Sequence, residues 1–332
     1  MQKILTISIA AYNVEKYIRC ALNSLLICED LLNLLEIFVI DDGGSDSTLS
    51  IAKEYERKYP GIIYAVHKED DGYGSTVNYS LKHASGKYFK LLDGDDWFDK
   101  NNLEKIVKLL IEYDHDVIVD DFYKFPEGRT PIYVKAHNYD DGSFFLLNKI
   151  NPSVPIGMWA LIYKTSVLRK VNLKLPENMF YVDQIYSTYP FSEVNSVLFL
   201  RMPLYCYRLG RDGQSVSRQS RIKNYRQMLS CCDMLLTFSR EKKLEKNKNY
   251  NYILYRVTRY YQTALRTILL LQINTSNKKL LTDYENKSKE INLDVFYRAS
   301  EVSKFGILID LFRKSKYTLY WLLKLFPMPN WK

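Results

Sequence analysis

The sequence has little of what builds disulfide frameworks, zinc sites or membrane spans. Its five cysteines, Cys20, Cys28, Cys206, Cys231 and Cys232, are odd in number and contain no Cys-x-x-Cys pair. That pattern argues against a disulfide scaffold and a structural zinc site, and it suits a reducing, cytoplasmic setting. The four histidines, His67, His83, His115 and His137, lack ligand spacing and read as surface or strand-end residues. No run approaches the roughly 18–20 apolar residues of a membrane span. The apolar run at the N-terminus stops at Asn13 and Glu15, so it reads as a first strand rather than a signal peptide. No repeat of fixed period and no low-complexity tract occurs.

What is present is enough for a core. The chain has 332 residues, 47% of them apolar and 26% charged, which fits one large domain or two modest ones. Tyrosine is abundant at 28 residues. Its apolar ring and polar tip suit sugar-binding clefts and interfaces, although coding bias accounts for the number equally well. The net charge of +9 is unevenly spread: from Val216 onward there are 23 Lys and Arg against 9 Asp and Glu. An acidic front and a basic back suggest two regions with different partners. An anionic membrane would attract the basic region by about 1 kcal/mol per well-placed Lys or Arg. Nucleic acid would also attract it but is not expected as a partner.

The first half alternates between two hydrophobic periods. Residues 4–9, 36–40, 62–66, 87–92 and 117–119 read as strands; residues 15–26, 75–84 and 103–111 read as helices, and a further helix carries Leu49, Ala52 and Tyr55 with Asp46 as its cap. Such alternation predicts βαβ units and a mostly parallel, Rossmann-like sheet flanked by helices. Residues 122–151 read as loops or a small hairpin, 159–163 as a strand and 183–191 as helical. Long basic helices are expected at 223–240, 250–272 and 305–326.

In a parallel sheet, ligands bind beyond the carboxyl ends of the strands. Three polar clusters fall there: Ala11-Tyr12-Asn13, Asp41-Asp42 and Asp93-Gly94-Asp95-Asp96. Like charges this close repel unless a cation neutralises them, and carboxylates suit Mg²⁺ or Mn²⁺. The same acids also suit the N-terminus of the helix after Asp99. Gly72 and Gly74 read either as a phosphate cradle or as a plain turn. Trp159, on its own, reads as core or as a binding surface.

These segments resemble the family 2 glycosyltransferases of GT-A fold. The resemblance rests on residues 5–13, Val39-Ile40-Asp41-Asp42-Gly43, Gly72-Tyr73-Gly74 through Asn78, and Leu92-Asp93-Gly94-Asp95-Asp96. It continues in Met158 through Lys164, Phe180-Tyr181-Val182-Asp183, and Tyr207-Arg208 through Ser217. It covers residues 1–217, leaving 218–332 as a basic helical region for acceptor, membrane or oligomer contacts. It implies transfer from a UDP-sugar donor to a saccharide or lipid-linked saccharide, with inversion. Ala11, Tyr12 and Asp42 would hold the base, and Asp93 and Asp95 the metal through the diphosphate. Asp96 would lie near the donor sugar, Asp183 would be the general base, and Trp159 would floor the acceptor site. Arg208 or Arg211 would reach the leaving diphosphate. Ala10, Val77 and Val182 stand where the family often has Pro, Arg and Glu, so Lys68, Lys90 or later arginines would replace the missing arginine.

Inverting transfer is one displacement, needing a base for the acceptor proton and positive charge on the diphosphate. Two rivals remain at this point, a non-catalytic nucleotide-sugar-binding subunit and a metal-dependent nucleotidyltransferase. The latter usually carries a Gly-rich basic loop after the first strand, which Ala10-Ala11-Tyr12-Asn13 is not. The tail at 305–332 mixes Leu, Ile, Phe and Trp with Arg313, Lys314, Lys316 and Lys324. It reads either as an interfacial helix at the inner membrane face or as a helix packed on its own domain. A homo-oligomer is left open.

Overall fold

The computed structural model describes residues 2–150, 155–210 and 214–325. The chain divides into two compact units, residues 1–211 and 212–332. The first unit starts with β1 (Leu5–Ala11), α1 (Ile18–Leu25), α2 (Glu29–Leu32), β2 (Leu35–Asp42), α3 (Thr48–Lys58), β3 (Ile63–Lys68), α4 (Tyr73–His83) and β4 (Tyr88–Asp93). It continues with β5 (Trp97–Phe98), α5 (Lys100–Glu112), β6 (Val117–Pro126), β7 (Ile132–Val134), β8 (Ser143–Leu146), β9 (Leu161–Lys164), α6 (Thr165–Lys170), α7 (Asp183–Tyr186) and β10 (Ser196–Leu209).

One sheet follows the path β3-β2-β1-β4-β9-β6-β10-β5, with β7 added beside β6 and β8 beside β10. β3, β2, β1 and β4 are parallel, as are β6 and β10; β9 runs antiparallel to β4 and β6. Leu5, Ile7, Ile9, Leu35, Ile37 and Val39 are fully inaccessible, and Thr6, Ser8, Glu36, Phe38 and Ile40, which alternate with them, are buried as well. Both faces of β1 and β2 are therefore covered. Glu36 inside this region is satisfied by Thr6 Oγ1 at 2.6 Å and by the Ser85 hydroxyl and amide at 2.6 and 2.8 Å.

The connections fix where a ligand can sit. From β1 the chain steps outward to β2 and β3, then returns to the other side of β1 with β4. In open sheets ligands bind at such a reversal, here beyond the carboxyl ends of β1 and β4. Asp46 accepts the Thr48 amide at 2.9 Å at the start of α3, and Asp99 caps α5 by accepting the Asn102 amide at 2.9 Å.

Elsewhere the structure departs from the sequence reading. The 122–151 region is more ordered than loops, because β6 runs on to Pro126 and pairs with β7, while β8 pairs with β10. The expected strand at 159–163 opens as a 3-10 turn, Met158–Ala160, and only then enters β9. β10, 14 residues long, was not anticipated, because Arg201-Met202-Pro203 interrupts its apolar pattern. Its pairing with β6 shifts register on both sides of Pro203, which absorbs the missing amide.

The second unit contains α8 (Arg218–Lys223), α9 (Tyr225–Leu244), α10 (Tyr250–Ile268), α11 (Thr275–Ile291), α12 (Leu293–Glu301) and α13 (Ser303–Lys314). The expected helix at 305–326 is broken. Lys316 and Tyr317 take left-handed φ values of 49° and 61°, and a 3-10 turn, Thr318–Lys324, follows. Arg313 points inward rather than to water. Its Nε and Nη2 donate to buried Glu285 at 2.9 and 2.8 Å, and its Nη1 donates to the Phe296 carbonyl at 2.7 Å. Tyr261 adds a 2.7 Å hydrogen bond to the same carboxylate, and the Tyr317 hydroxyl adds another. Arg313→Met leaves that carboxylate charged and uncompensated. A loss of about 3–5 kcal/mol is expected, read as an earlier urea transition of the helical signal.

Candidate active site

Four strand ends build the site. Ala11 closes β1, Asp41 and Asp42 close β2, His67 and Lys68 close β3, and Asp93 closes β4. Register places Ala11 beside Asp41, Ala10 beside Asp93 and Asp42 beside Lys68. The Gly94 amide donates to the Ala10 carbonyl at 2.9 Å, so the Asp93–Asp96 turn folds back over β1. Tyr12, next to Ala11, is 52% exposed.

Asp42 is buried and held from one side. Its Oδ1 accepts from Lys68 Nζ at 2.7 Å, and from the Asp71 amide and Ser75 Oγ at 3.3 Å each. Among the described residues nothing donates to Oδ2. Lys68 is thus committed to Asp42, with Asp71 3.2 Å away. Lys90 cannot replace a phosphate-binding arginine either. It is fully buried, 3.1 Å from Asp120 and 2.9 Å from the Trp159 carbonyl. Among the histidines, His67 is the strand-end residue expected, with Nδ1 2.6 Å from Asp41. His137 is buried against the Leu200 carbonyl, contrary to the surface reading.

Asp93, Asp95 and Asp96 each offer a carboxylate oxygen within 4.8 Å of the others. Burial first, then the charges of Asp95 and Asp183, push the Asp93 carboxyl up to about 7, against the opposing hydroxyls of Tyr73 and Tyr205. Asp96 is raised well above the carboxylate range by burial and by Asp93 and Asp95. It is fixed in place by Tyr205 Oη at 2.7 Å and the Arg208 amide at 2.7 Å. The Arg208 Nε donates to the Asp95 carbonyl at 2.8 Å, and its guanidinium lies over the rings of Tyr17 and Trp97. Asp93 Oδ1 is buried with no hydrogen-bond partner. An orphaned carboxylate oxygen beside two more acids fits a hard divalent cation.

Asp183 opens α7, and its charge reaches Asp93, Tyr73 and Tyr207, whose hydroxyls burial and the neighbouring acids hold above their ordinary range. The fold brings it there through close packing. An added Cβ on Gly74 would lie 2.0 Å from the Pro176 carbonyl oxygen, so glycine lets the 175–179 loop settle on α4. Asn78 seals the contact, donating to the Leu175 carbonyl at 2.9 Å and accepting its amide at 2.8 Å. Tyr181, two residues before Asp183, has φ of 69°, a left-handed conformation unusual for an aromatic residue. The Trp159 ring is stacked between Phe122 and Tyr207, with centroids 5.4 and 5.0 Å away. Arg211 lies outside the described residues. Tyr73 and Tyr207 lie in segments that carry the resemblance but were given no role there, and Tyr205 was missed in the sequence.

The protein-family model "Glycosyl transferase family 2" matches residues 6–171. The chain belongs to this family. Glycosyltransferase GlyA of Streptococcus pneumoniae is 28% identical over 225 residues, 64% of this chain but only 31% of GlyA. The uncharacterized glycosyltransferase MG025 of Mycoplasma genitalium is 29% identical over 218 residues, covering 64% of this chain and 70% of MG025. The poly(ribitol-phosphate) β-N-acetylglucosaminyltransferase TarS of Staphylococcus aureus is 26% identical over 214 residues, 64% of this chain and 36% of TarS. A crystal structure of TarS 1–349 with UDP-GlcNAc superimposes with a TM-score of 0.55 at 21% identity, covering 89% of each chain. The shared fold is GT-A, as expected, and the family makes the chain a glycosyltransferase enzyme rather than a nucleotidyltransferase. Among the described residues no helix is long and apolar enough to cross a membrane.

The raised Asp93 carboxyl would give any cation binding at this cluster a pH dependence. Its proton must leave before a cation enters. A carboxyl raised in the folded state weakens the cation-free fold as pH climbs from near 4 toward 7, and a cation offsets this. Thermal melts should therefore show a larger Mn²⁺-induced rise at pH 8 than at pH 6, with affinity falling about tenfold per pH unit below 7.

Proposed function

We propose that this glycosyltransferase moves a sugar, with inversion, from a UDP-sugar to a hydroxyl of a saccharide acceptor. The setting is surface polysaccharide or glycoprotein assembly in the cytoplasm, with a free or lipid-linked acceptor. The observation that carries this is the grouping of Asp93, Asp95 and Asp96, with Asp183 near enough for its charge to raise Asp93, at the end of a strand that pairs with β1, while β2 on the other side of β1 ends on Asp42. The similarity to TarS, a poly(ribitol-phosphate) β-N-acetylglucosaminyltransferase, supports the reading.

Asp42 Oδ2 accepts the N3–H of uracil, and Tyr12 stacks on the base beside Ala11. Asp93 and Asp95 would hold Mn²⁺ or Mg²⁺, which supplies positive charge for the leaving diphosphate. Asp96, locked by Tyr205 and the Arg208 amide, faces the donor sugar. Arg208 or Arg211 would reach the leaving diphosphate, and Trp159, with its faces against Phe122 and Tyr207, would meet the acceptor by its edge. Asp183 removes the acceptor proton as the acceptor oxygen bonds the anomeric carbon. The bond from that carbon to the diphosphate oxygen breaks, and its electron pair leaves with UDP.

A panel of UDP-sugars assayed for UDP release with Mn²⁺ tests the reading. Turnover of one sugar far above the others is expected. Tight UDP-sugar binding without release or transfer under any acceptor would contradict it and assign the chain a binding role.

A further inference from the structure

The last described elements carry an apolar surface that is left exposed among the described residues. On α13, Lys304, Ile307, Leu311 and Lys314 recur at intervals of three, four and three residues, which places them along one helix face. Ile307 is 62% and Leu311 47% exposed, while Phe305, Ile309 and Phe312 on the other side are buried. The turn Thr318–Lys324 repeats the division. Tyr320 and Leu323 are buried, while Trp321, Leu322 and the adjoining Leu325 are exposed.

The apolar groups are bordered by lysine. Lys278 and Lys324 hold their ammonium groups 6.0 and 5.1 Å from the Trp321 ring. Lys304, Lys314 and Lys316 are exposed. Between residues 303 and 325 the only acid is Asp310, and it is paired with Lys314 at 2.7 Å. Arg313 is turned inward to Glu285 and adds nothing to this surface.

We propose that this face docks on an anionic lipid surface. Ile307, Leu311, Trp321, Leu322 and Leu325 enter the boundary between headgroups and acyl chains, and the lysines meet the lipid phosphates. Tryptophan suits that depth, with an apolar ring and a polar edge, and lysine stems reach from it to the headgroups. Charge decides against a second copy of the chain as the occupant, because an identical face would set lysine against lysine. The proposal concerns the second unit and stands apart from the nucleotide chemistry.

Co-sedimentation of the full chain with vesicles tests it. The chain should sediment with vesicles of phosphatidylglycerol and phosphatidylcholine, and about tenfold less with phosphatidylcholine alone or in high salt. Ile307→Gln/Leu311→Gln and, separately, Lys304→Glu/Lys324→Glu should each weaken binding about tenfold. All four positions are exposed, so both variants should melt where the parent does. Failure of the parent to bind anionic vesicles overturns the proposal, as does unchanged binding by the apolar variant. A solution dimer that the apolar variant dissociates would assign the face to a second copy instead.

Discussion

Replacing Asp95 with alanine should cut cation-dependent UDP release by about 10²–10³-fold, the scale of losing a principal electrostatic contact to a developing oxyanion. The loss should fall on catalysis rather than folding. Asp95 packs against two acids, and its charge is the largest electrostatic cause raising Asp93. Removing it relieves repulsion, so the cation-free variant should melt no lower than the parent and should lose most of the Mn²⁺-induced rise. Thermal melts with and without Mn²⁺, beside a UDP-release assay, separate the two effects. A variant that turns over normally with Mn²⁺ would remove Asp95 from the cation site.

Asp183→Asn should lower kcat by about 10²–10⁴-fold, the range for loss of a general base. Its UDP affinity should stay within about twofold of the parent, because the amide keeps the size of the carboxylate and the proposed base subsite is at Asp42. Asp183 also helps to raise Asp93, so neutralising it should ease cation binding near pH 6 rather than weaken it. Calorimetry with UDP and Mn²⁺, alongside single-turnover transfer, reads both effects. Weaker nucleotide binding with unchanged kcat would make Asp183 a donor contact instead of a base.

The part of the site that was legible in sequence lies at the ends of buried parallel strands. There an apolar run meets acids abruptly, at Ile40 before Asp41-Asp42 and at Leu92 before Asp93, so one local pattern marks both strand and ligand end. What was hidden depends on contacts between distant segments. Tyr205 meets Asp96 across 109 residues, and Lys68 meets Asp42 across 26. Neither pairing has a local signature. β10 escaped because its bulge at Pro203 broke the two-residue alternation. α11 escaped because its buried stripe mixes Leu281 and Tyr284 with the polar Glu285 and Ser288. The break in the tail was equally silent, since Lys316 and Tyr317 take a glycine-like conformation with no glycine to mark it.

The spatial claim beneath the whole account can be tested by one crystal structure with UDP and Mn²⁺ bound. The account predicts the cation within coordination distance of Asp93 or Asp95 and of the diphosphate, uracil N3 on Asp42 Oδ2, and Asp183 open to the acceptor side. A nucleotide bound away from the carboxyl ends of β1 and β4, or a cation that touches none of the acids at 93–96, would contradict it.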